Sequence, residues 1–364
     1  ELIAREKGLS VDIAGFDSAM TDQKTRAKAA GKFKHESSSI DWKINTQGSD
    51  SEFVGYTSLS TDSIIRRWSI QSDQLLVILD KTPFYAESGG QIGDNGTIVN
   101  DGIDLQIIDV KKDENVFIHV CEGDFDESFA KQSVHCTVDI KRRQAIKLNH
   151  TATHLLHKAL REELGDHVHQ AGSLVSPDYL RFDLTHFEKI ASDEIERVEM
   201  SVNQEILKNI QLDISVHSFD EARKAGAVAL FGEKYEDEVR VVTIGDYSKE
   251  LCGGIHVERT GDIGAFKIIE ESSLAAGVRR IVAITGLKAV QLMQENFALI
   301  KSVQEQLKCT PGEIHERIDG LYKKQKELEK AFKQWRSGSA LNRRTIASEA
   351  EVIHGKNVVI KEIS

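Results

Sequence analysis

The 364-residue sequence has no apolar run approaching the ~18 residues that a membrane-spanning helix requires, so no spanning segment is expected. It also lacks an initiator methionine and a charged-then-apolar leader, and it reads as a piece of a longer polypeptide. Cysteine is scarce. Cys121, Cys136, Cys252 and Cys309 are widely scattered, which excludes the disulfide framework of a small secreted domain and makes a reducing, cytoplasmic setting the default. An excess of positive charge is missing too: 47 Lys and Arg against 58 Asp and Glu leave a net charge of −11, which argues against a general nucleic-acid binder. Phosphate contacts would have to come from local clusters such as Lys141-Arg142-Arg143 with Lys147, or Arg279-Arg280, and would weaken with salt.

Two chemical signatures are absent as well. The glycine-rich run Thr82–Gly96 has no Gly-Lys-Ser/Thr after it, so it is not a P-loop. Its glycines serve equally well as turn punctuation, which the residues alone favour. The pair His150 and His154 lacks the glutamate of His-Glu-x-x-His, which removes a metalloprotease.

What is present suggests two or three units of α+β class. Residues 1–35 read as the last helix of an upstream domain. Residues 36–138 alternate short β-like runs with turns, as in a small β-barrel or sandwich. In 139–285 helical and strand patterns mix. A helix over 142–164 buries Ile146, Ala152, Leu155, Leu156, Ala159 and Leu160 and stops at Gly165. A second helix, 192–209, opens on Ser192. Residues 286–336 carry a heptad-like stripe, including Met293, Phe297, Ile300, Leu321, Leu328 and Phe332, and predict an antiparallel helical hairpin with that stripe packed inside. Residues 337–364 begin a further unit, with a strand at 357–360.

His150 and His154, four apart, project from one face of the first helix and can reach a single ion. Far downstream, Cys252-Gly253-Gly254-Ile255-His256 offers a thiolate and an imidazole around a tight turn. Together they predict one tetrahedral Zn2+ per chain, with a purely structural zinc as the alternative. Spacing alone leaves His157 open as a ligand in place of His150.

Six separated motifs then occur in order: Asn149–His157, His169–Val175, Leu180–Asp183, Leu230–Tyr235, Glu250–Val257 and Ala275–Ile281. They resemble the editing domain of alanyl-tRNA synthetases, and Ser88–Asp94 resembles that module's glycine-rich motif, which overturns the turn-only reading. The resemblance implies a zinc-dependent editing domain over 139–285. It also implies an upstream helical tRNA-binding domain ending near 35, and the start of a C-terminal domain from 337 through which the protein could self-associate. By resemblance His150, His154, Cys252 and His256 are the zinc ligands, and Thr153, Gln170 and Ser173 fall where the editing pocket places polar residues. Gly89, Gly90, Lys141, Arg142 and Arg143 are the expected tRNA contacts.

The implied reaction is hydrolysis of seryl- or glycyl-tRNA(Ala), since an alanine pocket cannot strongly exclude either amino acid. Alanine attachment, with its ATP and Mg2+, would belong to an upstream domain. A free-standing trans-editing protein and a non-enzymatic tRNA-binding module with structural zinc are the competing readings; a threonyl synthetase editing site shares the ligand pattern but fits the motifs less well. Two positions depart from the family: Ile255 stands where Thr is usual, and Glu236 where Gly is usual.

Overall fold

The computed structural model describes residues 40–71, 74–228 and 237–359, with backbone only over 337–346. The expected helix of 1–35, the Leu230–Tyr235 motif and Glu236 lie outside these. The chain divides into two compact units, 1–290 and 291–364.

The first unit opens with β1 (Lys43–Ile44), β2 (Glu52–Phe53), β3 (Ser60–Gln71), β4 (Gln74–Leu79), β5 (Lys81–Thr82), β6 (Gly96–Asn100), β7 (Ile103–Asp113), β8 (Val116–Phe125) and β9 (Ser133–Val138). Six of these close a barrel in the order β3-β4-β8-β7-β6-β9, with β9 returning to β3 and every pairing antiparallel. Closure leaves no free edge within the ring. The inward positions Ile65, Val77, Leu79, Ile98, Leu105 and Ile107 form the barrel core. β3 is absent from the strands the sequence suggests, yet it closes the ring. Adjacent Arg66 and Arg67 and a bulge between Ile65 and Arg67 break its alternation.

After the barrel comes α1 (Ile140–Leu164), whose N-cap Asp139 accepts from the Arg142 N–H and whose end is Gly165, as its pattern predicts. β10 (Gln170–Val175), β11 (Leu180–Thr185), α2 (Ser192–Leu207), β12 (Leu212–Ser218), α3 (Phe219–Lys224), β13 (Glu238–Ile244), β14 (Ser248–Leu251), β15 (Phe266–Ala275) and β16 (Val278–Thr285) follow. They form an antiparallel sheet β10-β11-β16-β15 and a smaller one, β12-β13-β14. The six apolar residues expected inside α1 are all buried. Five of them, Ala152, Leu155, Leu156, Ala159 and Leu160, share one core with Leu180, Phe182, Leu184 and Ile281 of the larger sheet and Val198, Val202 and Ile206 of α2. Truncating any one of those leucines to Ala is expected to cost about 2–5 kcal/mol. That packing makes α1 a rigid mount. The cap of α2 sits one residue earlier than expected: the Ala191 N–H donates to the Glu194 carboxylate at 2.7 Å.

The second unit holds most of α4 (Gly286–Leu307), then α5 (Ile314–Ser348) and a hairpin of β17 (Glu351–Ile353) and β18 (Lys356–Val358). Pro311 opens the turn before α5, and the Thr310 N–H and hydroxyl both donate to Glu313 at 2.8 Å. The apolar stripe does not behave as expected. Met293, Phe297, Ile300, Leu321, Leu328 and Phe332 are exposed, Phe297 by 71%, because no apolar surface among the described residues covers them. Among the described residues no helix is long and apolar enough to cross a membrane.

Candidate metal centre and polar cavity

α1 places His150 and His154 one turn apart with rings stacked, centroids 5.4 Å apart. The segment after β14 then brings Cys252 and His256 over them. The approach is close enough that a Cβ on Gly254 would sit 1.9 Å from His150 Cε1, so only glycine fits there. Cys252 Sγ lies 3.4 Å from His150 Nε2 and 3.3 Å from His256 Nε2. Donor atoms of all four residues lie within 4.8 Å of one another. A tetrahedral ion with ordinary zinc–nitrogen and zinc–sulfur bonds needs N···S edges of about 3.5 Å, so these separations suit one.

The remaining ring nitrogens decide which atoms are donors to a metal. Gln91 Oε1 accepts from His150 Nδ1–H at 2.6 Å and from the Ile255 N–H at 2.9 Å. Two donors on one atom identify it as the amide oxygen. Glu250 accepts from His154 Nδ1–H at 2.6 Å, and Thr151 Oγ1 lies 3.2 Å from His256 Nδ1. These outer partners occupy the Nδ1 of all three imidazoles and turn each Nε2 toward the cluster, the arrangement found at metal sites. His154 Nε2 is buried without a hydrogen-bond partner, as a metal-binding atom would be.

Burial opposes the Cys252 thiolate, but His150, His256 and His154 together pull the thiol well below its ordinary value. Burial also opposes charge on His154, yet Glu250 and then Cys252 outweigh it and lift the imidazole to about 10. A metal would displace the His154 Nε2 proton on binding. Burial alone dominates at His256, held down at about 3.

A cavity of about 70 Å3 adjoins these donors. Thr153 enters it from α1, and Gln170 and Ser173 from β10. His157 lines it too, with Nδ1 on the second oxygen of Glu250 at 3.1 Å and a buried Nε2 that has no partner. The glycine-rich loop forms another wall. Gly89 and Gly90 adopt positive φ (58° and 82°), and a Cβ on Gly90 would meet the Ser173 carbonyl oxygen at 2.8 Å. Its Gln91 pairs like a strand with Val175 of β10.

Comparison with known proteins gives this constellation a family. Residues 1–142 match the family model described as tRNA synthetases class II (A), and residues 239–282 match the threonyl and alanyl tRNA synthetase second additional domain. The alanine–tRNA ligase of Acetivibrio thermocellus is 44% identical over 98% of this chain and 42% of its own length. The Shewanella loihica and Halorhodospira halophila enzymes of that name are 40% and 43% identical, over 99% and 91% of the chain. The chain belongs to the alanyl-tRNA synthetase family. It spans about two fifths of the length of these curated relatives.

Within this member of the family, the structure gathers His150, His154, Cys252 and His256 into one cluster and sets Thr153, Gln170, Ser173 and Gly89 around one cavity. It leaves His157 outside the ligand set, because only the donor atoms of the other four residues gather within 4.8 Å of one another. The expected tRNA contacts do not stay together. Lys141 is exposed, and Arg142 is half-buried with its guanidinium 3.4 Å from the Gly93 carbonyl. Arg143 is corrected: it is 1% exposed, paired with Asp94 and bonded to the Gly55 and Pro83 carbonyls, so it ties α1 to the barrel and cannot meet a phosphate.

Sequence reasoning left three residues without a role: Gln91, Thr151 and Glu250. Tyr56 and Arg240 escaped it entirely; their side chains donate to the Gly253 carbonyl (2.6 Å) and to those of Cys252 and Gly254 (3.0 and 2.7 Å), holding the Cys252 loop. The one local hint was a carboxylate two residues before a cysteine ligand. Ile255 is buried and serves the site through its backbone N–H, a group that threonine would supply equally.

Proposed function

We propose that this chain binds one zinc ion through His150, His154, Cys252 and His256 and hydrolyses the ester of seryl- and glycyl-tRNA(Ala). The observation that carries the reading is the convergence of three Nδ1-anchored imidazoles and a lowered thiol beside a small polar cavity. Thiolate and imidazole are the ligands that zinc prefers, and zinc bound there would supply a fixed positive charge that organises the site. Four protein ligands complete a tetrahedron, so the hydrolytic water is handled by the surrounding residues.

His157 suits that task. Glu250 holds its Nδ1–H, leaving the Nε2 lone pair to take a proton from water. The water oxygen then bonds to the ester carbonyl carbon, the carbon–oxygen bond to the terminal ribose breaks, and the released ribose oxygen takes up the proton. Discrimination of serine from alanine rests on Thr153. Its hydroxyl already donates to the Asn149 carbonyl at 2.8 Å, so it offers the cavity only lone pairs, which accept from a serine hydroxyl and find nothing on alanine. In a protein of the relatives' full length, alanine attachment with ATP and Mg2+ would lie outside residues 40–359, with tRNA(Ala) as partner and the cytoplasm as setting.

The test is zinc content together with release of serine, glycine and alanine from the corresponding tRNA(Ala) esters, for wild type and Cys252→Ala. Zinc-loaded wild type should release serine and glycine and spare alanine, and Cys252→Ala should do neither. A zinc-replete wild type that releases no serine removes the hydrolytic reading and leaves a zinc-organised tRNA-binding module.

A further inference from the structure

A second cavity, of about 340 Å3, adjoins the first and shares Tyr85, Ser88 and Gly253 with it. Its character is different. The metal-proximal cavity is walled by imidazoles and small polar groups, whereas here Phe53, Tyr56, Tyr85 and Phe117 supply the walls. Phe53 is the hub: its ring lies 4.9 Å from Tyr56, 5.4 Å from Phe117 and 6.1 Å from Tyr85, centroid to centroid. Tyr56 is held in place by its hydroxyl on the Gly253 carbonyl and by the Arg240 guanidinium 4.4 Å from its ring centroid, and it remains 48% exposed. A large aromatic pinned by two polar contacts and still open to solvent is a preformed stacking platform. At the rim, exposed Asn115 offers an amide, and Lys112 carries its ammonium 5.7 Å from the Phe117 ring centroid.

We propose that this aromatic cavity receives the terminal nucleobase of the tRNA 3′ end, an unpaired adenine, while the aminoacyl group it carries enters the adjoining His/Cys cavity. This assignment rests on the ester-hydrolase reading above. The chemistry follows from the substrate's shape. An aminoacyl ester hangs from the terminal ribose, so its base must lie one sugar away, and the shared wall Tyr85–Ser88–Gly253 spans that step. Aromatic faces hold an unpaired base by stacking, and Asn has the donor and acceptor pair that an adenine edge requires. Lys112 stands where the preceding phosphate would pass. The barrel thus reads the nucleotide and the α+β part reads the amino acid.

The test measures binding separately from hydrolysis. Oligonucleotides ending in CCA, and the same ones lacking the terminal A, are titrated against the zinc-loaded chain. The CCA form should bind about 5- to 150-fold more tightly, the worth of one base–aromatic stack. Tyr56→Leu should erase the difference, and Tyr56→Phe, which shares the loss of the hydroxyl on the Gly253 carbonyl but keeps the ring, should preserve it. Equal affinity for the two oligonucleotides overturns the proposal. So does loss of the difference in Tyr56→Phe, because the hydroxyl on Gly253, and not the ring, would then be responsible. A CCA preference in a chain that hydrolyses no ester would support the base site while refuting the hydrolase reading.

Discussion

The barrel and the metal centre are built from the same residue types and give them opposite chemistry. In the barrel, His119 is fully buried between the Val77 carbonyl (2.9 Å from Nδ1) and the Thr82 hydroxyl (2.7 Å from Nε2), so both ring nitrogens are occupied. Burial drives its pKa down to about 4. Cys136, buried there too, is pushed up to about 12 by the same cause. At the candidate metal centre each imidazole has an outer partner on Nδ1 and turns Nε2 toward the cluster, where Cys252 Sγ meets the Nε2 atoms of His150 and His256 and His154 Nε2 has no partner. The burial is similar. The difference is what the second nitrogen meets: the Thr82 hydroxyl for His119, and a gathered set of imidazole nitrogens and a thiol for His150, His154 and His256.

The largest test of this contrast is metal removal. With zinc at about 1,000 times its Kd, binding should stabilise the first unit by about 4 kcal/mol, and a chelator should remove that increment in thermal unfolding. Cys252→Ala should show no response to either. A chain whose unfolding ignores both zinc and chelator would erase the distinction between the two regions.

His119 provides the next test. Folded, it is held near 4; unfolded, it titrates near 6.5. As pH falls from about 6.5 to about 4 the unfolded chain gains a proton that the native barrel refuses, so stability falls through this window and no further below it. The full loss through this group is about 3 kcal/mol. In acid-unfolding measurements His119→Gln should show a shallower pH dependence over that interval, whatever its absolute stability.

Gln91→Ala and Glu250→Gln should each weaken zinc about 10- to 100-fold in a competition titration, since each orients a ligand without touching the ion. Unchanged affinity would mean that the ligands orient themselves. Thr153→Val should lower the serine-over-alanine preference in ester hydrolysis by about 5- to 150-fold, the cost of one hydrogen bond to a buried group, with zinc content unaltered. The smallest effect is expected at Ile255→Thr. Zinc affinity should not change, because the backbone N–H persists, while stability falls by about 1 kcal/mol.

Much of α1 was legible because its evidence is local: a 3.6-residue apolar period, Gly165 at the end and two histidines one turn apart. Strand β10, which carries Gln170 and Ser173, was not. Its run Gln-Ala-Gly-Ser-Leu-Val has no clear alternation and becomes a strand through pairing with β11. β3 was missed for a like reason, and it closes the barrel. Arg143 misled in the other direction: a basic residue in a basic triplet reads as surface until Asp94, 49 positions earlier, is found against it. The heptad stripe shows the limit of periodicity, which states that a face is apolar and not that anything covers it.

By itself the sequence determined the ligand pairs, His150 with His154 and Cys252 with His256, because each lies within a turn of helix or a short loop whose spacing is set by backbone geometry. Only the tertiary structure decided that these pairs meet, and that Gln91, Thr151 and Glu250 turn every Nε2 inward. It alone set the aromatic cavity of the barrel against the polar cavity of α1. The reason is distance along the chain. Gln91 is 59 residues from His150 and 164 from Ile255, and no local rule joins groups so far apart until the barrel, the helix and the sheets have packed.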